Sequence, residues 1–107
     1  MSDKKTKKLK STTSDDIVKV AAVQMASSPN VSANLVEAKR LIELAAKAGA
    51  KLVVLPEYFC IMGLKDFDKV TQREKPNAGP IQQFLSKTAK AYKLWIVAGT
   101  VPLESHY

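Results

Sequence analysis

Residues 52–59 read Leu-Val-Val-Leu-Pro-Glu-Tyr-Phe, and the architecture follows from how this stretch is placed. Lys51 to Leu55 is an apolar run with no polar alternation after its first residue, which suits a strand covered on both faces in a parallel sheet. Pro56 has no amide hydrogen for a continuing ladder, so the strand stops there and leaves Glu57 just past its carboxyl end. Immediately upstream, Gly49 supplies the left-handed residue that closes a helix. The helix it closes is predicted over Ser32 to Ala48, where Leu35, Ala38, Leu41, Ile42, Ala45 and Ala48 recur in steps of three and four. Glu37, Lys39, Arg40, Glu43 and Lys47 fill the other positions. Further upstream, Val18 to Met25 is a second apolar run, and Ser27, Ser28, Pro29 and Asn30 form a turn that leads into the helix. A strand, helix and strand in so short a span imply a right-handed crossover between parallel neighbours.

In the other direction, Glu57 to Gly79 contains no long periodic segment, and only Asp66 to Val70 suggests a helical turn. A connection of that length in a compact domain tends to be functional. Gly79-Pro80 opens a second amphipathic helix, with Ile81, Phe84, Leu85, Thr88, Ala89 and Tyr92 on one side, running to about Lys93. Leu94 to Val101 is a third apolar strand that ends near Pro102. The order β-α-β-α-β with mostly parallel strands makes the fold class α/β.

The chain has 107 residues, of which 46% are hydrophobic and 25% charged, a balance that fits one soluble globular core and excludes a disordered or membrane-embedded chain. The net charge of +7 invites a nucleic-acid reading until it is located. Met1 to Ser14 alone carries five lysines against one aspartate, so the body is only mildly basic. Residues 1–16 are expected to be a disordered basic tail and residues 17–107 the domain. The tail has no interleaved aromatics and matches no recognition motif, so no specific nucleic-acid partner is expected. It also lacks the apolar run of a secretory signal, and no stretch approaches the ~20 apolar residues of a membrane span. A single cysteine, Cys60, excludes an internal disulfide, and a reducing, cytoplasmic location is expected.

Ligands of open parallel sheets gather beyond the carboxyl ends of the strands, which is where Glu57 stands. Tyr58, Phe59, Ile61 and Met62 follow it and are expected to desolvate its carboxylate, raising it toward the range of a general base. The plainer possibility is a solvated glutamate at a strand end. Cys60 sits in the same apolar cluster without a recognisable base beside it, and reads as a buried, inert thiol. His106 is the only histidine and has no companion ligands, so no metal is expected. Gly49-Ala50-Lys51 and Gly79-Pro80 are too sparse to cradle a phosphate, and no cofactor is expected. Ser86 and Thr88 lie within a helix with no histidine nearby.

Taken together, Val-Ala-Ala-Val-Gln-Met at 20–25, Asn34 with the helix ending Ala-Lys-Ala-Gly-Ala, and Leu-Val-Val-Leu-Pro-Glu-Tyr-Phe at 52–59 resemble the nitrilase superfamily of carbon-nitrogen hydrolases. Gly79-Pro80-Ile81-Gln82 and Val97-Ala98-Gly99-Thr100 resemble that family's next helix and strand, so the likeness runs from about Val18 to Pro102. The resemblance implies an αββα sandwich and a Glu-Lys-Cys triad that hydrolyses amides or nitriles through an acyl-enzyme. Glu57 would be the base, and Tyr58 and Phe59 would contact substrate. Within the superfamily, Tyr58 to Gly63 and the Gly-Pro-Ile-Gln helix look most like the omega-amidase and deaminated-glutathione-amidase branch, which implies a small carboxylate-bearing amide as substrate. The complete enzyme would be a homo-oligomer with no membrane partner. The lysine and the nucleophilic cysteine have no counterpart here, and Cys60, three residues after the base, is in the wrong place. The chain therefore reads as the amino-terminal portion of such an enzyme, inactive alone. A different class stays open, a noncatalytic α/β binding or interaction module. The two differ in that a portion of a sandwich exposes apolar surface where a second sheet belongs.

Overall fold

The computed structural model describes residues 17–63 and 68–105. The basic tail, Asp66, Phe67 and His106 lie outside the described residues. In chain order the elements are β1 (Val20–Ala22), α1 (Val31–Lys47), β2 (Leu52–Val54), α2 (Asp68–Thr71), α3 (Pro80–Tyr92) and β3 (Trp95–Val97). The three strands form one parallel sheet in the order β1-β2-β3. Val53, at its centre, is aligned with Ala21 on one side and Ile96 on the other.

Each strand is shorter than the apolar run that announces it, because turns consume the ends. Hydrogen bonds extend the pairing slightly: the Lys51 amide donates to the Lys19 carbonyl, Val23 to Val54, and Leu55 to Val97. Beyond these, Pro56 and the left-handed Gly99 (φ +65) divert the chain.

The helix ends follow from local chemistry. The Asn30 side chain accepts the Ala33 amide at 2.9 Å and caps α1, one residue earlier than periodicity alone places it. At the other end the Gly49 amide donates to the Ala46 carbonyl. In α3, Pro80 takes the first turn, and Lys93 rather than a glycine adopts the closing left-handed conformation (φ 52).

Both crossovers step one strand over in the same direction, and right-handed connections of that kind place both helices on the same face of the sheet. Ala38 and Ile42 of α1 and Ile81 of α3 accordingly share one core with Val53, Leu55, Leu94, Phe59, Cys60 and Ile61. The Tyr92 hydroxyl donates to Glu43 and ties the helices together.

Among the described residues the strands are therefore covered on one face only, whereas their composition suggests cover on both. On the face away from the helices, Trp95 is 79% exposed, Val20 57% and Val97 50%. Every second residue of each strand points that way, so a one-sided layer leaves an apolar half of the sheet bare. This is the surface expected of one part of a larger sandwich. Among the described residues, no helix is long and apolar enough to cross a membrane.

Candidate active site

The site is built where β2 and β3 end. After Leu55 the chain turns through Pro56–Phe59, with the Phe59 amide donating to the Pro56 carbonyl at 3.2 Å. Tyr58, third in the turn, has φ 55, a left-handed conformation that costs a non-glycine residue about 1 kcal/mol or more. Such strain persists only where its surroundings enforce it.

The turn sorts its side chains. Phe59, Cys60 and Ile61 go into the core, Tyr58 is half-buried, and Glu57 and Met62 face outward. The expected desolvation of Glu57 by Tyr58, Phe59, Ile61 and Met62 is thus corrected: the apolar residues after Glu57 are spent on the floor beneath the turn. Glu57 is exposed among the described residues, and its recorded side-chain partner is Thr100, whose hydroxyl donates to Oε1 at 2.9 Å.

Thr100 reaches Glu57 because Gly99 lets two backbones touch. A Cβ at Gly99 would lie 2.8 Å from the Pro56 carbonyl oxygen and 3.0 Å from the Glu57 Cα. Any side chain there would force the ends of β2 and β3 apart.

Beneath the turn, Asn34 of α1 joins the two loops that form the floor. It is 3% exposed. Its Nδ2 donates to the Ser28 carbonyl at 2.7 Å and to the Cys60 carbonyl at 2.8 Å, while its Oδ1 accepts the Ser28 amide at 2.8 Å. The Ser27 hydroxyl donates to the Phe59 carbonyl, and the Met62 amide to the Ser28 carbonyl. The loop after β1 thereby holds the loop after β2.

A second buried polar residue, Glu74, organises the far side. Its carboxylate accepts the amides of Ile81 at 2.6 Å and Gln82 at 3.0 Å, capping the positive end of α3. Its backbone pairs with the segment after β3: the Glu74 amide donates to the Pro102 carbonyl, and the Glu104 amide to the Glu74 carbonyl.

Cys60 is a free, fully buried thiol. Burial pushes its pKa above the ordinary value, which opposes formation of a thiolate. Two open grooves lie along α3, one lined by Asn77, Gln82, Gln83, Ser86 and Lys87, the other by Lys39, Phe84, Lys87, Thr88, Ala91 and Tyr92. Glu57 lines neither of them.

Of the residues singled out from sequence, Glu57 and Tyr58 stand together at the sheet end, whereas Phe59 is 0% exposed within the core. Thr100, Ser27 and Ser28 carry no sequence signal beyond strand and turn. Asn34 has one: it is a polar residue exactly one helical turn before Ala38 on the buried stripe of α1.

The family model described as carbon-nitrogen hydrolase matches residues 19–107. The deaminated glutathione amidase of Synechocystis is 42% identical over 82 residues, covering 77% of this chain and 29% of that protein. The omega-amidase NIT3 of Saccharomyces cerevisiae is 39% identical over 92 residues, covering 79% of this chain and 31% of the relative. The omega-amidase NIT2 of Danio rerio is 38% identical over 86 residues, covering 80% and 30%. The chain thus spans about 30% of the length of these relatives.

Proposed function

This chain belongs to the carbon-nitrogen hydrolase family, and from that premise we propose that it is the amino-terminal portion of an amidase for small carboxylate-bearing amides, with Glu57 as general base. The observation that carries the reading is the Glu57 carboxylate at the carboxyl end of the central strand, held at 2.9 Å by the hydroxyl that follows the neighbouring strand.

In the reaction, Glu57 takes the proton of a cysteine thiol as its sulfur bonds to the amide carbon. The proton passes to the departing nitrogen as the C–N bond breaks, and ammonia leaves a thioester. Glu57 then takes a proton from water, whose oxygen bonds to the same carbon. Cleavage of the S–C bond releases the acid and returns the proton to sulfur. A lysine would steady the negative oxygen of each tetrahedral intermediate. That lysine and that cysteine have no matching positions in these 107 residues, so the polypeptide alone is expected to turn over no amide.

Half-buried Tyr58 is the nearer substrate contact. Phe59 would reach substrate only by leaving the core, and supports the turn from below. We place the complete enzyme in the cytoplasm as a homo-oligomer, acting on a free small molecule without nucleic-acid or membrane partners. The bare apolar sheet face weighs against the alternative of a noncatalytic module complete in these residues.

The test is a chimera in which residues 19–107 replace the matched segment of the Synechocystis amidase. The chimera is expected to hydrolyse succinamate, and Glu57→Gln to lower kcat/KM by about a thousandfold or more with folding unchanged. Turnover of the variant within about tenfold of the parent defeats the role given to Glu57.

A further inference from the structure

We infer that Thr100 is a positioning residue for the Glu57 base, an inference that rests on the function proposed above. Its hydroxyl holds Oε1 and leaves Oε2 as the oxygen that exchanges the proton. Glutamate has three rotatable side-chain bonds, and an exposed carboxylate without a fixed donor spreads over many rotamers. A base must present one lone pair within hydrogen-bond reach of the reacting proton.

Thr100 is suited to supply that restraint because its own position is fixed from both sides. Upstream, the Leu55 amide donates to the Val97 carbonyl at 2.8 Å, and Gly99 packs its backbone against Pro56 and Glu57. Downstream, Pro102 and Glu104 pair with the Glu74 backbone at 2.9 and 2.7 Å. Glu74 is anchored in turn by its carboxylate on the first turn of α3. The threonine hydroxyl thus sits on a segment held at both ends, and its β-branched side chain has little rotamer freedom of its own. Losing the hydroxyl leaves Glu57 less well aimed.

The test uses the active chimera described above with Thr100→Val, which keeps the shape and β-branching and removes the donor. The expected result is a fall in kcat of about ten- to a hundredfold, the size of a hydrogen bond to a charged group, with KM within about threefold. Thr100→Ser, which keeps the donor, is expected to recover most of kcat. A residue with a merely structural role would lower the melting temperature without separating kcat from KM and without recovery by the donor-bearing serine. If circular dichroism shows the valine variant misfolded, Thr100→Ala against Thr100→Ser provides the same contrast. A donor-free variant that folds and retains kcat within about twofold overturns the inference. If that happens while Glu57→Gln still abolishes turnover, only the role of Thr100 is lost. If Glu57→Gln itself remains active, the function proposed for the site has failed and this inference goes with it.

Discussion

Replacing Asn34 with alanine removes a side chain that bridges α1, the Ser28 loop and the Cys60 carbonyl, and the size of the loss follows from its four hydrogen bonds. The bond from the Ser28 hydroxyl can pass to water, since that group is half-buried, and is worth little. The other three, at 2.7 to 2.8 Å, leave behind the Ser28 amide and the Ser28 and Cys60 carbonyls. At about 1 kcal/mol net for each bond, the loss is about 3 kcal/mol. Alanine recovers about half a kcal/mol of helix propensity in α1, so the net cost is about 2–3 kcal/mol. With a urea m-value of about 1 kcal/mol/M for a domain of this size, the unfolding midpoint should fall by about 2–3 M. The assay is urea unfolding followed by far-UV circular dichroism at two protein concentrations, so that association shows as a concentration dependence. Asn34→Asp separates the contacts. It keeps an acceptor for the Ser28 amide but turns a carboxylate oxygen toward two carbonyls, and should cost more than alanine at neutral pH. Protonation restores a donor, so that variant should regain stability on acidification. A midpoint for Asn34→Ala within about 0.5 M of the parent would refute the idea that this bridge holds the floor of the site.

Three further outcomes are open to measurement. Gly79→Ala should lower the melting temperature by about 10 °C or more, because φ is +118 and the new Cβ would meet the Glu74 Cγ at 2.6 Å; Gly49→Ala, with only the flexible Lys19 side chain 3.5 Å away, should cost less, and equal losses would remove the clash as the cause. The 107-residue polypeptide should self-associate through its bare sheet face, and Trp95→Lys with Val97→Lys should shift it toward monomer in sedimentation; a stable parent monomer with a sharp thermal transition would contradict this. Cys60 should resist alkylation until the chain is unfolded. Because burial raises its pKa in the folded state, its stabilising contribution is complete below the unfolded value of 9.0 and is lost as pH rises beyond it, a loss that Cys60→Ala should abolish.

How far the sequence reveals the molecule depends on the range of the interaction. The helices and the parallel order are legible because periodicity, proline and glycine act over a few residues, as at Gly49, Pro56 and Pro80. Strand coverage is less legible: Val20 and Trp95 have the composition of doubly buried strands, yet which face a helix covers depends on the direction of two crossovers. Glu57 stands out by its place after β2, but its partner Thr100 lies 43 residues away and is brought to it by the backbone approach at Gly99. Glu74 is similarly silent in the sequence, since only the folded turn shows that its carboxylate reaches back to cap α3.

The exposure of Glu57 and the bare sheet face have one physical origin. A turn that buries Phe59, Cys60 and Ile61 spends its apolar residues on the floor, and a layer with both helices on one side leaves Trp95 and Val97 in water on the other. The described residues therefore provide direction for the carboxylate, through Thr100 and the strained turn, but not the dry surroundings in which a base and an oxyanion are most effective. Water exclusion at Glu57 would have to come from whatever covers the ends of β2 and β3. A layer packed on the bare face would bury Trp95 and Val97 at about 25 cal/mol per Å² of apolar surface and so stabilise the sheet.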